Sequence, residues 1–453
     1  MIRTTMLLGA ALASVPGAAA QDGLSMTLYD SGQTLVRDTR RLAFAAGEQT
    51  IPLPGVSSMI VAPSVGFAAE GVAIVEQNYD FDLLSPQALM EKSVGETVTL
   101  VSVNPGTGRE TRRRAKILAV NGGVVIESEG RIEVLRDDGI PTRVIFERVP
   151  PNLRAQPTLS VTVDSEAAGE REATLTYMTG GLDWQADYVA RFDEAAGTLD
   201  LQGWATIVNR TETGFEEADL KLVAGQAGQG QGPRRNVRRG GVTVADQERL
   251  GDSYLYRLPG RSTVASNQTK QIGLIDADGL PATRRYEHQA YGFQTSTDAR
   301  NVDVRIAMTT GPSSRGQGFG EPLPAGTVRV YQEDSRGQSL FVGEDGVGHV
   351  PAGSLLSLRI GQAFDLTVKP TVTDRQERGR WVTDTTMRYV LTNASPEDET
   401  VTIVQNTWPS CEKSVRRESR EHTQLSEDSF AWDVPVPSGG ETELTFTLRI
   451  DCD

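Results

Sequence analysis

An all-β, multi-domain protein is what this 453-residue sequence predicts, on three observations. Apolar and polar residues alternate with period two in nearly every patterned stretch. Those stretches are short and end in turn residues, drawn from 46 Gly and 22 Pro. A single segment carries a convincing helix start. Short, regularly spaced strands predict immunoglobulin-like β-sandwiches, with barrels as the second choice. The chain is also longer than one hydrophobic core supports, which calls for several domains.

In chain order, residues 1–20 read as a secretory signal peptide: Arg3, an apolar run from Met6 to Val15, then Pro16-Gly17-Ala18-Ala19-Ala20. About ten apolar residues fall short of the ~20 that span a bilayer, and no later run is longer, so no transmembrane segment is expected. The protein is therefore expected in the periplasm or secreted, with maturation at Gln21. An N-terminal β domain is expected over 21–84, its alternation plainest from Leu35 to Phe44 before Ala45-Ala46-Gly47. Ser85 then opens a short helix to about Lys92. Its hydroxyl can accept free N–H groups of the first turn, and Pro86 suits the first helical position.

A small SH3-like β-barrel is expected over 85–148. Runs at Thr97–Val101 and Ala115–Val120 flank an arginine-rich hairpin, and Asn121-Gly122 between two apolar runs is a strong hairpin signal. Arg131–Leu135 and Arg143–Phe146 complete five strands. The central block, 149–325, is read as a β-sandwich, with runs at Leu159–Val163, Ala173–Met178 and Thr198–Asn209. It is interrupted by a Gly-, Gln- and Arg-rich stretch, 225–251, expected to be a disordered linker because it has too little apolar surface to offset the entropy of ordering. Asp276-Ala277-Asp278-Gly279 has the start of a calcium loop but lacks the remaining ligands, so a hairpin turn is expected there. A C-terminal immunoglobulin-like sandwich is expected over 326–453, with runs at Val328–Tyr331, Leu355–Ile360, Thr385–Thr392, Thr400–Trp408 and Thr442–Ile450.

Several of these segments are also recognisable together. They are Leu175-Thr176-Tyr177-Met178-Thr179-Gly180-Gly181-Leu182-Asp183-Trp184, Leu201-Gln202-Gly203-Trp204, Ala218-Asp219-Leu220-Lys221-Leu222, Tyr256-Arg257-Leu258-Pro259-Gly260 and Phe430-Ala431-Trp432-Asp433-Val434-Pro435. As a set the chain resembles the bacterial domain of unknown function 4139 family, which includes relatives named mucoidy inhibitor A. The resemblance implies a multi-domain β protein of the bacterial envelope and no particular reaction.

The residues give little chemistry. With 60 acidic against 45 basic side chains and a net charge of −15, nucleic acid is not an expected partner. His288, His349 and His422 are scattered, with no H-x-x-H frame, so neither a metal site, a cofactor nor a catalytic residue is assigned. Cys411 and Cys452 could form a disulfide in an oxidising compartment, but sequence alone leaves a bridge and two free thiols equally open. Arginines gather at Arg109, Arg112, Arg113 and Arg114; at Arg234, Arg235, Arg238 and Arg239; and, with Lys413, at Arg416, Arg417 and Arg420. The second cluster is the candidate anion site, although solvated loop and hairpin-tip charges are the preferred reading of all three. Trp184, Trp204, Trp381, Trp408 and Trp432 are expected mainly in the core, with a glycan platform as the alternative.

The function expected is that of a non-enzymatic envelope scaffold or protein-interaction adaptor. A carbohydrate or cell-wall polymer binder is the alternative, and a hydrolase with an interdomain site comes third. The partners anticipated are accordingly an envelope protein or an anionic or glycan polymer.

Overall fold

The computed structural model describes residues 21–80, 83–104, 106–135, 142–150, 153–225, 246–250, 253–309, 320–408 and 410–452. The expected signal peptide and Arg234, Arg235, Arg238 and Arg239 lie outside them. The described residues form 28 strands, one α-helix and one 3-10 turn, so the protein is all-β. None of their helices is long and apolar enough to cross a membrane.

Two compact units are present. The first takes the residues up to 183 with 208–222 and 260–269; the second takes 184–207, 223–259 and the residues from 270 onward. In the first unit, Thr34–Phe44 is sandwiched between Gln21–Tyr29 and Gly169–Thr179, both antiparallel to it. Thr158–Ser165 likewise lies between Gly47–Pro54 and Val72–Asp80. Its burial on both faces as far as Val163 follows from its sequence, because Leu159, Val161 and Val163 alternate with Thr158, Ser160 and Thr162, and exposure returns at the charged Asp164. An N-terminal domain confined to 21–84 is therefore not what forms: besides the pairing of Gln21–Tyr29 with Thr34–Phe44, its strands take partners beyond residue 157. Period-two alternation defines a strand's faces but not its neighbour, which is why the linear division misplaced this boundary.

Within the same unit, Thr142–Ile145, Thr97–Val103, Glu110–Val120, Val124–Ser128 and Arg131–Leu135 make an antiparallel five-stranded sheet in that order. It has its own core of Val98, Leu100, Ala115, Ile117 and Ile126, with Met90 of the helix Pro86–Lys92 packed on it. The Ser85 Oγ accepts from the Ala88 N–H at 3.0 Å, which is the expected cap. Gly122 takes a left-handed φ of 66° at the Asn-Gly turn, a conformation glycine adopts without steric cost.

In the second unit, thirteen strands are linked through two unusually long ones, Gln268–Tyr291 and Leu355–Glu377. The parallel pairing of Leu182–Asp193 with Gly326–Glu333 removes the expected boundary at 325. Asp276–Gly279 lies inside the strand Gln268–Tyr291, so the expected hairpin turn is not formed. Gly279, at φ 66°, instead directs its N–H to Asp200 Oδ1 at 2.8 Å, and the chain runs on as a strand. The stretch 225–251 contains a further strand, Asp246–Leu250, paired with Ser253–Val264. The rest of the expected linker, 226–245 and 251, lies outside the described residues.

One core of the second unit joins two layers. Leu366, Val368, Met387, Tyr389, Leu391, Leu444, Phe446 and Leu448 come from one, and Val401, Ile403, Phe430, Trp432, Val434 and Val436 from the other. Trp432 is fully buried and stacks on Phe446 with centroids 4.1 Å apart. This packing is consistent with an immunoglobulin-like sandwich.

Candidate functional site

The strand Gln268–Tyr291 builds the candidate site by changing partners. It pairs antiparallel with Arg300–Thr309 only as far as Glu287↔Asp303, while Tyr286–Tyr291 pairs in parallel with Val401–Asn406. Arg300–Thr309 meanwhile follows Leu355–Glu377. Where the two strands part, residues 292–299 cross the gap, held by the Ser296 N–H on Pro370 O at 2.9 Å and the Val372 N–H on Thr295 Oγ1 at 2.9 Å. The result is a cavity of about 210 Å³ lined by residues including His288, Tyr291, Gln294, Arg300 and Tyr389.

Its floor is fixed by a buried amide. Gln405 is fully buried; its Oε1 accepts from the Tyr389 hydroxyl at 2.7 Å and its Nε2 donates to Gly292 O at 2.7 Å. Burial pushes the Tyr389 hydroxyl well above the usual range, so it remains a proton donor to Gln405. The His288 ring packs edge-on to Tyr389 at 6.1 Å. Burial holds the His288 pKa below its ordinary value; Asp303 opposes that shift and Arg300 adds to it. A neutral imidazole facing the cavity follows.

Aromatic surface flanks the opening. Tyr291 is 69% exposed and Trp408 is 64% exposed. They are coupled through Gly292, whose N–H donates to Asn406 O at 2.9 Å and whose φ is 65°. A Cβ added at Gly292 would lie 2.7 Å from Trp408 Cη2, so the indole sits directly on bare backbone.

The other candidate residues are dispersed. Cys411 and Cys452 form a disulfide with Cα atoms 4.4 Å apart, one position beyond the Glu412↔Asp451 end of an antiparallel ladder. The first arginine cluster lies along the strand Glu110–Val120 as well as its tip, and is compensated: Arg112 pairs with Glu110 at 3.3 Å, Arg113 with Glu133 at 2.8 Å and Arg114 with Glu147 at 3.4 Å. Glu110 is a neighbour on the same strand, whereas Glu133 and Glu147 come from distant segments that the run of arginines does not reveal. In the third cluster, Lys413 is buried in an ion pair with Asp428 while Arg416 and Arg417 are exposed. Trp184 and Trp432 are core residues, but Trp204, Trp381 and Trp408 are exposed, so the core expectation fails for three of the five. His349 Nδ1 accepts from the Ala325 N–H at 3.1 Å, and His422 Nδ1 lies 3.0 Å from Glu418 Oε2. Among the described residues no three His, Cys, Asp or Glu side chains converge as a metal site.

The profile of the family described as Domain of unknown function (DUF4139) matches residues 173–452, more than half of the chain. The protein belongs to that family. The matched DUF4139 region contains every residue that lines the cavity, as well as Trp408, Gln405 and the disulfide. Among curated proteins the chain has no match. Tyr291, Arg300, Tyr389 and Gln405 were not singled out from the sequence, because three pairings are needed to bring them together: Tyr286–Tyr291 with Val401–Asn406, Arg300–Thr309 with Leu355–Glu377, and Leu355–Glu377 with Val382–Asn393.

The DUF4139 region also holds a charge cluster with a structural role. Arg449 Nε and Nη2 donate to the two oxygens of Asp384 at 2.7 and 2.9 Å, and Arg378 Nε donates to Oδ2 at 3.1 Å. The Arg449 hydrogen bonds, outweighing burial and helped by Arg378, hold the Asp384 carboxyl down at about 2. Because the folded value lies below the unfolded one of about 3.9, this contribution is complete above that value and is lost as pH falls toward 2. Acid unfolding of Asp384→Asn should therefore show a flatter stability profile between about pH 4 and 2 than the parent. Parallel profiles would remove Asp384 from the acid response.

Proposed function

We propose that this protein is an exported, non-enzymatic scaffold or adaptor of the bacterial cell envelope that works by docking another protein. The observation that carries this reading is the strand Arg131–Leu135, which ends the five-stranded sheet. Ile132 is 74% exposed and Val134 is 56% exposed on one face of it, whereas Leu135 packs toward the small core. An edge strand offers unpaired backbone groups to another chain, and apolar side chains beside that edge add burial when a strand is added. The leader-like residues 1–20 and the Cys411–Cys452 bridge both support export to an oxidising compartment.

A photo-crosslinking side chain placed at Ile132 in the native cell should capture a discrete envelope protein. Val134→Lys should abolish that product while leaving the thermal unfolding of the purified protein unchanged. A crosslinking pattern indifferent to Val134→Lys would defeat the adaptor reading at this edge. A second reading, binding of a carbohydrate or cell-wall polymer, is favoured by the exposed Tyr291 and Trp408 beside the cavity.

A further inference from the structure

We infer that the cavity beside His288 is a binding site for a saccharide bearing a carboxylate, with the sugar's C–H face on Tyr291 and Trp408 and its carboxylate on Arg300. The inference rests on the polymer-binding reading above and names its ligand class and contacts.

Sugar rings present an apolar C–H face and a polar rim, so a site for them combines an aromatic surface with dispersed hydrogen-bonding groups. Both parts are present. Two aromatic side chains stand well out of the surface while their backbones are tied by the Gly292 N–H to Asn406 O bond. The Trp408 ring rests on Gly292, so its position is set by contact with backbone and the rest of the indole remains open to solvent. Gln289 and Gln294 add exposed amides at the rim. Below them, the Tyr389, Gln405 and Gly292 hydrogen bonds hold the floor in one arrangement, so little ordering is required on binding. At about 210 Å³ the cavity is smaller than the roughly 300–1,000 Å³ of pockets that enclose drug-sized ligands, which suits one ring of a longer chain.

Charge selects the kind of sugar. Arg300 is exposed, lines the cavity and forms no ion pair among the described residues. Two acids of the flanking strands are already engaged: Glu287 with Arg305 at 3.6 Å and Asp303 with Arg359 at 3.0 Å. With His288 held neutral by burial, the guanidinium is the group left to meet an anion, and its fork geometry matches a carboxylate.

The test is titration of the whole purified protein with a galacturonic acid hexamer, a neutral cellohexaose and poly-glutamate, read by calorimetry and tryptophan emission. The galacturonate hexamer should bind and perturb the emission, and cellohexaose should bind at least about tenfold more weakly. Arg300→Gln, Trp408→Ala and Tyr291→Ala should each weaken galacturonate binding by about tenfold or more. Tyr291→Ala alters the most exposed of these side chains and serves as the informative variant if Trp408→Ala fails to fold. Equal binding of cellohexaose would overturn the assignment to Arg300, and equal binding of poly-glutamate would overturn a sugar site. Galacturonate binding unchanged in both Arg300→Gln and Tyr291→Ala, or no galacturonate binding, would overturn the site itself. Crosslinking from Ile132 reads the adaptor proposal independently, because that strand belongs to a different sheet.

Discussion

Replacing Cys411 and Cys452 together by serine should lower the unfolding free energy of the second unit by about 4 kcal/mol. The bridge joins residues separated by 41 positions, and the loop-closure entropy removed from the unfolded chain sets that magnitude. It also pins an edge: Glu412–Glu418 ends its sheet, with Asp451 to Phe446 as its ladder partners. Two side-chain contacts reinforce the same strand, the Lys413–Asp428 ion pair and the Trp432 Nε1 bond to Glu418 Oε2 at 2.9 Å. Local loosening of this edge is therefore expected to precede global unfolding in the variant. Denaturant unfolding with and without reductant checks both parts. The parent should lose stability on reduction, and the double serine variant should be insensitive to it. A parent curve unmoved by reductant would show that the bridge adds nothing to stability.

A loss of comparable size is expected from Asp38→Ala in the first unit. Asp38 and Arg40 are 3% and 5% exposed, two residues apart on one face of Thr34–Phe44. Arg40 Nε and Nη2 both donate to Asp38 Oδ2, at 2.9 and 2.6 Å, and Nη1 donates to Pro54 O at 2.9 Å. Removing the carboxylate leaves a guanidinium in the interior with its charge uncompensated, which costs about 3–5 kcal/mol. The pair as a whole is a different matter, since desolvating two charges offsets much of their attraction. Asp38→Leu combined with Arg40→Met should recover most of the loss. Urea unfolding of the single and double variants measures the difference. If the single variant falls by less than about 1 kcal/mol, the pair is far better solvated than its burial indicates.

Much of the fold could be read directly. The runs Leu35–Phe44, Leu159–Val163, Ala173–Met178, Thr198–Asn209 and Thr442–Ile450 all lie within observed strands, because side-chain alternation reports strand geometry residue by residue. The helix and its Ser85 cap were equally legible, since a cap is a contact over three residues. The candidate site was legible only in fragments. His288 and Trp408 stood out as residue types, but nothing local related either to Tyr291, Arg300 or Gln405. The three exposed tryptophans were misassigned for the same reason, as burial depends on which sheet a strand joins.

Asp276–Gly279 marks the limit most clearly. Two acids and a glycine between apolar runs carry every local sign of a turn, yet the strand Gln268–Tyr291 continues through them, because it also pairs with Thr198–Asn209 and the Gly279 N–H is held by Asp200, 79 residues earlier. The alternating pattern and the family motifs thus determined that the chain is all-β and belongs to the DUF4139 family. Tertiary structure alone decided which strands pair, that Cys411 meets Cys452 across a ladder end, and that one strand leaves its neighbour to open a cavity. The physical reason is that a strand's two faces are encoded at a spacing of two residues, whereas its edges are satisfied equally well by any backbone, so neighbour and register are chosen by packing over the whole unit.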